Sequence, residues 1–244
     1  MSEVATCIVI GAAGGIGSDL SAMLAEDGWN LVLCGRNREP LEQLASQIGS
    51  SVAGIEQVDA QDFAAVDEVF SKYDQVGGAV NLAGSILLKP SHSTSFDDYT
   101  HTMDQNIRTA FSVTRAAAKK MRKTGGSVVL MSSCAAQIGL TNHEAISAAK
   151  AAVEGLTRSA ASTYASCNLR FNAIAPGLTE TPMSSRLTSN DASRKASESM
   201  HPMGRIGQSQ EIARAARFLL DPHNSWITGQ TIGVDGGMAK VKGR

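Results

Sequence analysis

The 244-residue sequence lacks an excess of charge of either sign. Its 22 Lys and Arg residues oppose 23 Asp and Glu residues, so the formal net charge is −1 with neutral histidines. Nucleic-acid and membrane-surface proteins usually carry a basic excess, and we therefore expect neither partner. Charged residues make up 18% and hydrophobic residues 43% of the chain. This composition excludes intrinsic disorder and suffices to bury one sizeable core.

Long apolar segments are also missing. No run of about 18 apolar residues occurs, as a membrane-spanning helix would need. The apolar N-terminal segment carries Glu3 and has no Lys or Arg before Arg36, which does not fit a signal peptide. We therefore expect a cytoplasmic protein.

Cysteine and histidine spacings typical of metal sites are absent. Cys7, Cys34, Cys134 and Cys167 form no C-x-x-C pair, so we expect reduced core thiols rather than a zinc site or a disulfide framework. His92, His101, His201 and His223 have no metal-ligand spacing, and we interpret them as polar residues of the surface or of a lid. No metal is expected.

Short apolar segments alternate with longer alanine-rich segments of helical spacing, which is typical of an α/β protein. The intervening segments are long enough to require parallel pairing of the strands. We predict strands at residues 6–10, 31–34, 52–58, 79–81, 127–131, 170–174 and 231–234, and helices at residues 15–27, 39–48, 63–72, 96–123, 144–164 and 209–220. No linker is evident, so the sequence predicts one domain over residues 1–244, with the irregular segment 179–207 as a candidate substrate lid.

A glycine-rich turn, from Gly11 to Gly17, follows the first predicted strand and precedes a helix. Glycines let the backbone approach a pyrophosphate, and a helix N-terminus offers free N–H groups and a positive dipole end. The order of strand, glycines and helix favours dinucleotide binding over a tight turn without a ligand.

The second strand ends at Gly35 and Arg36, where an NAD site would place an acidic residue. A guanidinium there can pair with the 2′-phosphate of NADP. The alternative is a solvated arginine at the start of a polar loop. We expect NADP(H) to be preferred, with NAD(H) as the second candidate cofactor.

Motifs over essentially the whole chain resemble those of the short-chain dehydrogenase/reductase family. They are Gly11-x-x-x-Gly15-x-Gly17, Asn81-Leu82-Ala83-Gly84, Asn106, Ser132-Ser133, Lys150 and Pro176-Gly177. The resemblance implies a three-layer Rossmann fold with a doubly wound, parallel, seven-stranded sheet, hydride transfer with a nicotinamide cofactor, and a homodimer or homotetramer. The cofactor contacts that we expect are Gly11, Ala13, Gly14, Gly15, Ile16, Gly17, Arg36, Asp59, Ala60, Asn81, Ala83, Gly84, Lys150, Pro176, Gly177, Thr179 and Thr181.

The usual proton donor of that family is missing. Its ketone reductases carry Asn, Ser, Tyr and Lys, the last two spaced Y-x-x-x-K on one helical face. The tyrosine donates a proton, and the lysine lowers its pKa and holds the nicotinamide ribose. Asn106, Ser133 and Lys150 match this pattern, but Ile146 stands four residues before the lysine. An isoleucine cannot donate a proton.

A second spacing offers a replacement. Enoyl-acyl-carrier-protein reductases of the same superfamily carry the tyrosine seven residues before the lysine, and His143 has that spacing here. An imidazole exchanges its proton near neutral pH, which suits donation to an enolate or alkoxide. Glu144 could tune it. Alternatively, His143 is only a polar residue that precedes a helix.

Two hypotheses of different classes follow. The first is an oxidoreductase that transfers a hydride between NADP(H) and a small carbonyl or conjugated enone, with Asn106, Ser133, His143 and Lys150 as catalytic residues. The second is a catalytically silent NADP(H)-binding protein that signals to a partner through the lid. The missing tyrosine favours the second hypothesis, and cofactor binding without turnover would distinguish it from the first.

Overall fold

The computed structural model describes residues 5–242. Its strands are β1 (Thr6–Ile10), β2 (Asn30–Gly35), β3 (Val52–Gln57), β4 (Val76–Asn81), β5 (Gly126–Met131), β6 (Leu169–Pro176), β7 (Thr179–Glu180), β8 (Gly207–Gln208) and β9 (Thr231–Val234). Its α-helices are α1 (Gly15–Glu26), α2 (Arg38–Ile48), α3 (Phe63–Lys72), α4 (Phe96–Met103), α5 (Thr109–Met121), α6 (Glu144–Tyr164), α7 (Ser185–Thr188), α8 (Asp191–Met200) and α9 (Ser209–Leu220).

Seven parallel strands form the central sheet in the order β3-β2-β1-β4-β5-β6-β9. The chain builds outward from β1 to β3, returns to pair β4 with β1, and then builds outward in the other direction. The predicted doubly wound sheet of a three-layer Rossmann fold is confirmed. The strands β7 and β8 pair separately.

Each face of the sheet packs against its own layer of helices. In β1, Ile8 and Ile10 belong to one apolar core, with residues of α3, α5 and α6. Cys7 and Val9 belong to the other, with residues of α1, α2 and α9. Because both faces are covered, every residue of β1 is buried, which explains its uninterrupted apolar sequence.

The four cysteines are free, and all but Cys167 are buried. Burial raises the pKa of the Cys7 thiol to about 12, which keeps it protonated and inert near neutral pH. In the part of the chain that the structure describes, no group of three potential metal ligands lies together. No helix within residues 5–242 has the length and apolar character needed to cross a membrane.

The helix predicted over residues 96–123 is wrong in one respect, since a π-helical turn at Asp104–Arg108 separates α4 from α5. The amide of Asn106 donates to the carbonyl oxygen of Thr102 at 2.8 Å. In a regular α-helix that carbonyl would pair with the backbone N–H of Asn106. The side chain therefore competes with the α-helical pattern where the turn widens.

The segment 179–207 is also more regular than expected, because it contains β7, α7, α8 and β8. Local polar contacts account for this order. Asn190 caps α8 by accepting a hydrogen bond from the Ser193 N–H at 2.8 Å. Arg194 bonds Glu198 one turn later at 3.2 Å and both carboxylate oxygens of Glu180 at 3.0 and 3.2 Å.

Candidate functional site

The candidate site lies at the carboxyl edge of the sheet, where the strand order reverses between β1 and β4. A crevice opens outside the strand ends at such a point. The glycine turn follows β1, Asn81 ends β4, Ser132 and Ser133 follow β5, and Pro176 ends β6. Parallel pairing thus brings these separate motifs to one edge.

The glycine turn is packed too tightly for side chains at two positions. Gly11 has φ of +83°, and a Cβ there would lie 3.1 Å from the Leu82 carbonyl carbon and 3.2 Å from Ala83 N. A Cβ on Gly17 would overlap the backbone of Gly11 and Ala12. These contacts bring the turn against Leu82 and Ala83 and account for its glycines.

The N-terminus of α1 is open toward this turn. Its N-cap is Gly14, no side chain caps it, and its first turn holds no acidic residue. Ala13 and Gly14 are exposed. A Cβ on Gly15 would lie 3.2 Å from side-chain atoms of Thr181 and Pro182. The start of the 179–207 segment therefore lies over an N-terminus suited to a phosphate.

Arg36 projects from the end of β2 as an exposed residue. Among the described residues its guanidinium has no hydrogen-bond or ion-pair partner. Arg38, by contrast, bonds Glu42 at 2.7 Å. Glu56, on the adjacent strand, accepts from Tyr73 Oη at 2.8 Å and Lys72 Nζ at 3.1 Å. No free carboxylate of β2 or β3 is thus available for a ribose at this end.

Asn81 is buried at the end of β4, where its Oδ1 accepts from Ala83 N at 3.2 Å and its Nδ2 donates to Thr109 Oγ1 at 3.2 Å. These bonds fix the turn that leads to Gly84. Asp59 and Ala60 follow β3 on the opposite side of the strand reversal. The Asp59 carboxylate is exposed and accepts from Gln61 N at 3.0 Å.

The most unusual group of the site is the buried amine of Lys150, on α6. Its Nζ donates to the Met131 carbonyl at 2.9 Å, and burial lowers its pKa to about 8. A Cβ on Gly84 would lie 3.4 Å from this Nζ and 3.0 Å from Asn106 Oδ1. The absence of a side chain at Gly84 therefore lets Lys150 and Asn106 approach the same point.

Asn106 is buried in the π-helical turn and bonds Ser85 through both ends of its amide group. Its Nδ2 donates to Ser85 Oγ at 3.1 Å, and its Oδ1 accepts from Ser85 N at 3.3 Å. The turn thus anchors the chain just after Gly84.

Ser133 caps a short 3-10 turn at Cys134–Ala136. Its Oγ accepts a hydrogen bond from Ala135 N at 3.2 Å. Because the oxygen serves as acceptor in this bond, the hydroxyl can still donate its hydrogen, and the Cys134 thiol lies within its reach. Capping of the turn and polarisation of a substrate are therefore compatible roles for Ser133.

His143 immediately precedes α6, with Nδ1 2.7 Å from the Thr141 carbonyl oxygen. Glu144 does not bond the imidazole; its carboxylate accepts from Ser91 N at 3.5 Å. Ile146 is buried, and Lys150 lies seven residues after His143, about 10 Å along the helix axis. The structure thus places His143 on the same helical side as Lys150 but does not bring the two into contact.

The last predicted contacts lie on the loop after β6 and on β7. Gly177 N donates to the Val234 carbonyl at 3.1 Å, and Thr179 Oγ1 donates to the Gly177 carbonyl at 3.1 Å. Thr181 caps the next turn by accepting from Ser184 N. These bonds order the chain from Pro176 into the segment 179–207.

The residues present fit a dinucleotide. The N-terminus of α1 has no side-chain cap and no acidic residue in its first turn, so its backbone N–H groups are available to a phosphate. The Lys150 ammonium has only the Met131 carbonyl as a partner within residues 5–242 and retains hydrogens for a ribose hydroxyl. When bound, a nicotinamide cofactor supplies the hydride.

Known proteins are similar to this chain in sequence. The family model described as enoyl-(acyl carrier protein) reductase matches residues 11–239. A tropinone reductase homolog of Arabidopsis thaliana is 34% identical over 99% of this chain and 92% of its own. A 3-oxoacyl-(acyl-carrier-protein) reductase of Thermotoga maritima is 31% identical over 97% of this chain and 98% of its own. The chain belongs to the short-chain dehydrogenase/reductase family.

A solved structure supports the same conclusion. ElxO with NADP bound is similar with a TM-score of 0.91 and 26% identity, over 98% of this chain and 100% of that one. This short-chain dehydrogenase/reductase is accordingly an NAD(P)-dependent oxidoreductase with a Rossmann fold.

Sequence reasoning missed three residues that support this dehydrogenase/reductase site. Ser147 Oγ donates to the Ala135 carbonyl at 2.6 Å. Glu154 Oε1 accepts from Ser132 Oγ at 3.0 Å and from Gln137 Nε2 at 2.9 Å. Both α6 residues therefore hold the turn that carries Ser133. The third, His201, was interpreted as a polar residue of the surface or of a lid; it lies in the 179–207 segment but is buried. No local sequence signal distinguishes these residues from ordinary helical or loop polarity.

Proposed function

We propose that this protein transfers a hydride between NADP(H) and a small carbonyl or conjugated enone. The buried ammonium of Lys150, placed with Asn106 beside Gly84, carries the proposal. Burying a charge is costly unless the charged group is paired or hydrogen-bonded, and this amine has a single carbonyl partner among the described residues. A ribose hydroxyl at this point would give it a second one.

The preference for NADP(H) rests on Arg36. It is the exposed cation at the end of β2 that no carboxylate engages within residues 5–242, whereas Arg38 is held by Glu42. A guanidinium suits a phosphate, and the similar ElxO structure contains NADP. We expect Arg36→Ala to weaken NADPH binding by about tenfold or more and to leave NADH binding unchanged. Arg38→Ala is the matched control, and equal effects of both variants would contradict the assignment.

His143 is the proposed proton donor, and the orientation of its ring supports this role. A carbonyl only accepts hydrogen bonds, so Nδ1 beside the Thr141 oxygen carries a hydrogen. Nε2 has no hydrogen-bond partner among the described residues and is the ring nitrogen left to face a substrate. Ser133 would polarise the substrate oxygen with its hydroxyl hydrogen. Lys150 would orient the cofactor.

The test is NADPH consumption on a panel of ketones and conjugated enoyl thioesters. His143→Ala should lower kcat by about 10² or more with unchanged NADPH affinity. His223→Ala is the matched control, because His223 is exposed and bonds Asp221 before β9. Turnover by His143→Ala at the wild-type rate would exclude His143 as the donor, and the substrate that reacts identifies the bond reduced.

Ile146 favours a second candidate function, that of a catalytically silent NADP(H)-binding protein. This apolar side chain is 4% exposed, so it offers no proton where the family carries tyrosine. NADPH binding to wild type without consumption on any substrate would favour this function. In that case Ile146→Tyr is the variant expected to introduce turnover.

A further inference from the structure

His201 is buried where three segments of the chain meet. It follows α8 at the end of the 179–207 segment, which we call the lid, and is 3% exposed. Its Nδ1 lies 2.7 Å from the Ser197 carbonyl oxygen in the last turn of α8. Its Nε2 accepts from Leu178 N at 3.1 Å. The imidazole thus bridges the far end of the lid to the loop 176–178.

The bonding partners fix the tautomer of the ring. The Ser197 carbonyl can only accept, so Nδ1 carries a hydrogen, and the Leu178 N–H can only donate, so Nε2 carries none. Neither nitrogen remains for a substrate. His201 therefore acts on the site only through the backbone that it holds.

Close packing makes this bridge specific. A Cβ on Gly177 would lie 2.6 Å from His201 Nε2, so a side chain there would displace the ring. A Cβ on Gly236 would lie 3.6 Å from His201 Cβ, and Met203 N donates to the Gly236 carbonyl at 3.2 Å. The end of the lid is thus packed between the loop 176–178 and the chain after β9.

The other end of the lid lies on the glycine turn. Side-chain atoms of Thr181 and Pro182 would meet a Cβ on Gly15 at 3.2 Å. The lid therefore touches both ends of the expected cofactor site, directly at the glycine turn and through His201 at the loop 176–178.

We propose that His201 is a positioning residue that couples the lid to the loop 176–178, so that NADP(H) binding and closure of the lid stabilise each other. This inference rests on the proposed function, because it needs a cofactor at that loop. Coupling between two sites is reciprocal. A cofactor that orders the loop therefore orders α8, and a closed lid holds the loop in its binding conformation.

Two substitutions separate the hydrogen bond from general packing. In His201→Gln, the side-chain oxygen reaches the place of Nε2 and can still accept from Leu178 N. In His201→Asn, the shorter amide reaches only the place of Nδ1, which leaves Leu178 N without its acceptor. Both variants put a neutral amide at the same buried position, and their thermal unfolding temperatures serve as the folding control.

The experiment is limited trypsin digestion with and without NADPH, following cleavage at Arg186, Arg194 and Lys195 in the lid. In wild type and His201→Gln, we expect saturating NADPH to slow this cleavage by about tenfold, which corresponds to about 1.4 kcal/mol of coupling. In His201→Asn, protection should fall below about twofold at saturating NADPH. Equal protection in both variants would overturn the proposal.

A second measurement needs no variant. In wild type, NADPH should slow hydrogen exchange of the Leu178 amide and of the α8 amides by similar factors, because one bridge joins them. Protection of Leu178 without α8 would overturn the coupling even if His201→Asn does not fold. NADPH binding is measured separately by nucleotide fluorescence, and its absence in wild type would refute the proposed function instead.

Discussion

Replacing Lys150 by methionine should stabilise the protein without its cofactor while it removes function. Burial lowers the pKa of Lys150 from 10.5 to about 8. Each pKa unit corresponds to about 1.4 kcal/mol, so the buried ammonium costs about 3 kcal/mol at pH 7. Methionine fills a similar volume without charge but leaves the Met131 carbonyl without the lysine hydrogen, which costs about 1 kcal/mol. We expect a net gain of about 2 kcal/mol.

The gain should depend on pH with a definite sign. Because the folded-state pKa lies below the unfolded one, the unfolded chain binds more protons between pH 8 and pH 10.5. Wild-type stability should therefore rise with pH across this window, as the penalty disappears. Lys150→Met lacks this gain, so its advantage should be largest below pH 8 and shrink toward pH 10.5.

The assay is urea unfolding of the cofactor-free proteins at pH 7 and pH 9.5. Lys195→Met is the control, because Lys195 is exposed on α8 and its substitution should change stability by less than about 0.5 kcal/mol. The reasoning is refuted if Lys150→Met is less stable than wild type at pH 7, or if its advantage is the same at both pH values.

Three further predictions concern packing, positioning and assembly. Gly17→Ala should destabilise the fold by about 3 kcal/mol or more in urea unfolding, because the added Cβ overlaps the glycine turn. Gly155→Ala on α6, where a Cβ meets open space, should instead stabilise the fold by about 0.5–1 kcal/mol. Equal effects of the two substitutions on stability would contradict the packing argument. Ser147→Ala should lower kcat by about tenfold, because the turn that carries Ser133 loses the hydrogen bond from Ser147 to the Ala135 carbonyl. The affinity for NADPH, measured by fluorescence titration, should not change. A loss of NADPH affinity without a loss of kcat would argue against positioning of Ser133. Phe111 is 47% exposed on α5 and stacks on Phe63 with 5.9 Å between the ring centroids. An exposed apolar patch of this kind is expected at a subunit interface, so Phe111→Glu should reduce the mass of the expected oligomer in light scattering. An unchanged mass would place the interface elsewhere.

Sequence reasoning succeeded where structure is decided by local pattern. The strand predicted at residues 6–10 is confirmed, and both cores receive its side chains. The positions of the strands in the sequence, with long connections between them, predicted parallel pairing. The register and order of the strands bring the sequence motifs to one edge of the sheet.

The features that sequence reasoning missed are decided by distant contacts. His201 lies in a polar, serine-rich segment, and only its approach to Gly177 and Leu178 makes it a buried bridge. The π-helical turn depends on a side chain that competes for a carbonyl and on the partner Ser85. Helical periodicity in the sequence predicts neither the burial of His201 nor the π-helical turn. The catalytic role of His143 stays a prediction, because the structure defines its ring orientation and not its reaction.

The π-helical turn has a consequence for the length of the chain at this place. A wider turn holds one residue more than an α-helical turn would. Deleting one residue from Asp104–Arg108 would let this turn close with regular α-helical pairing, and α4 and α5 would keep about the same relative rotation. Deleting a residue from the regular helix α5, which has no extra residue to give up, would instead rotate its two ends by about 100° relative to each other. The chain can therefore shorten at this turn without changing the phase of the helices, and the change would fall on Asn106, which the turn holds beside Gly84.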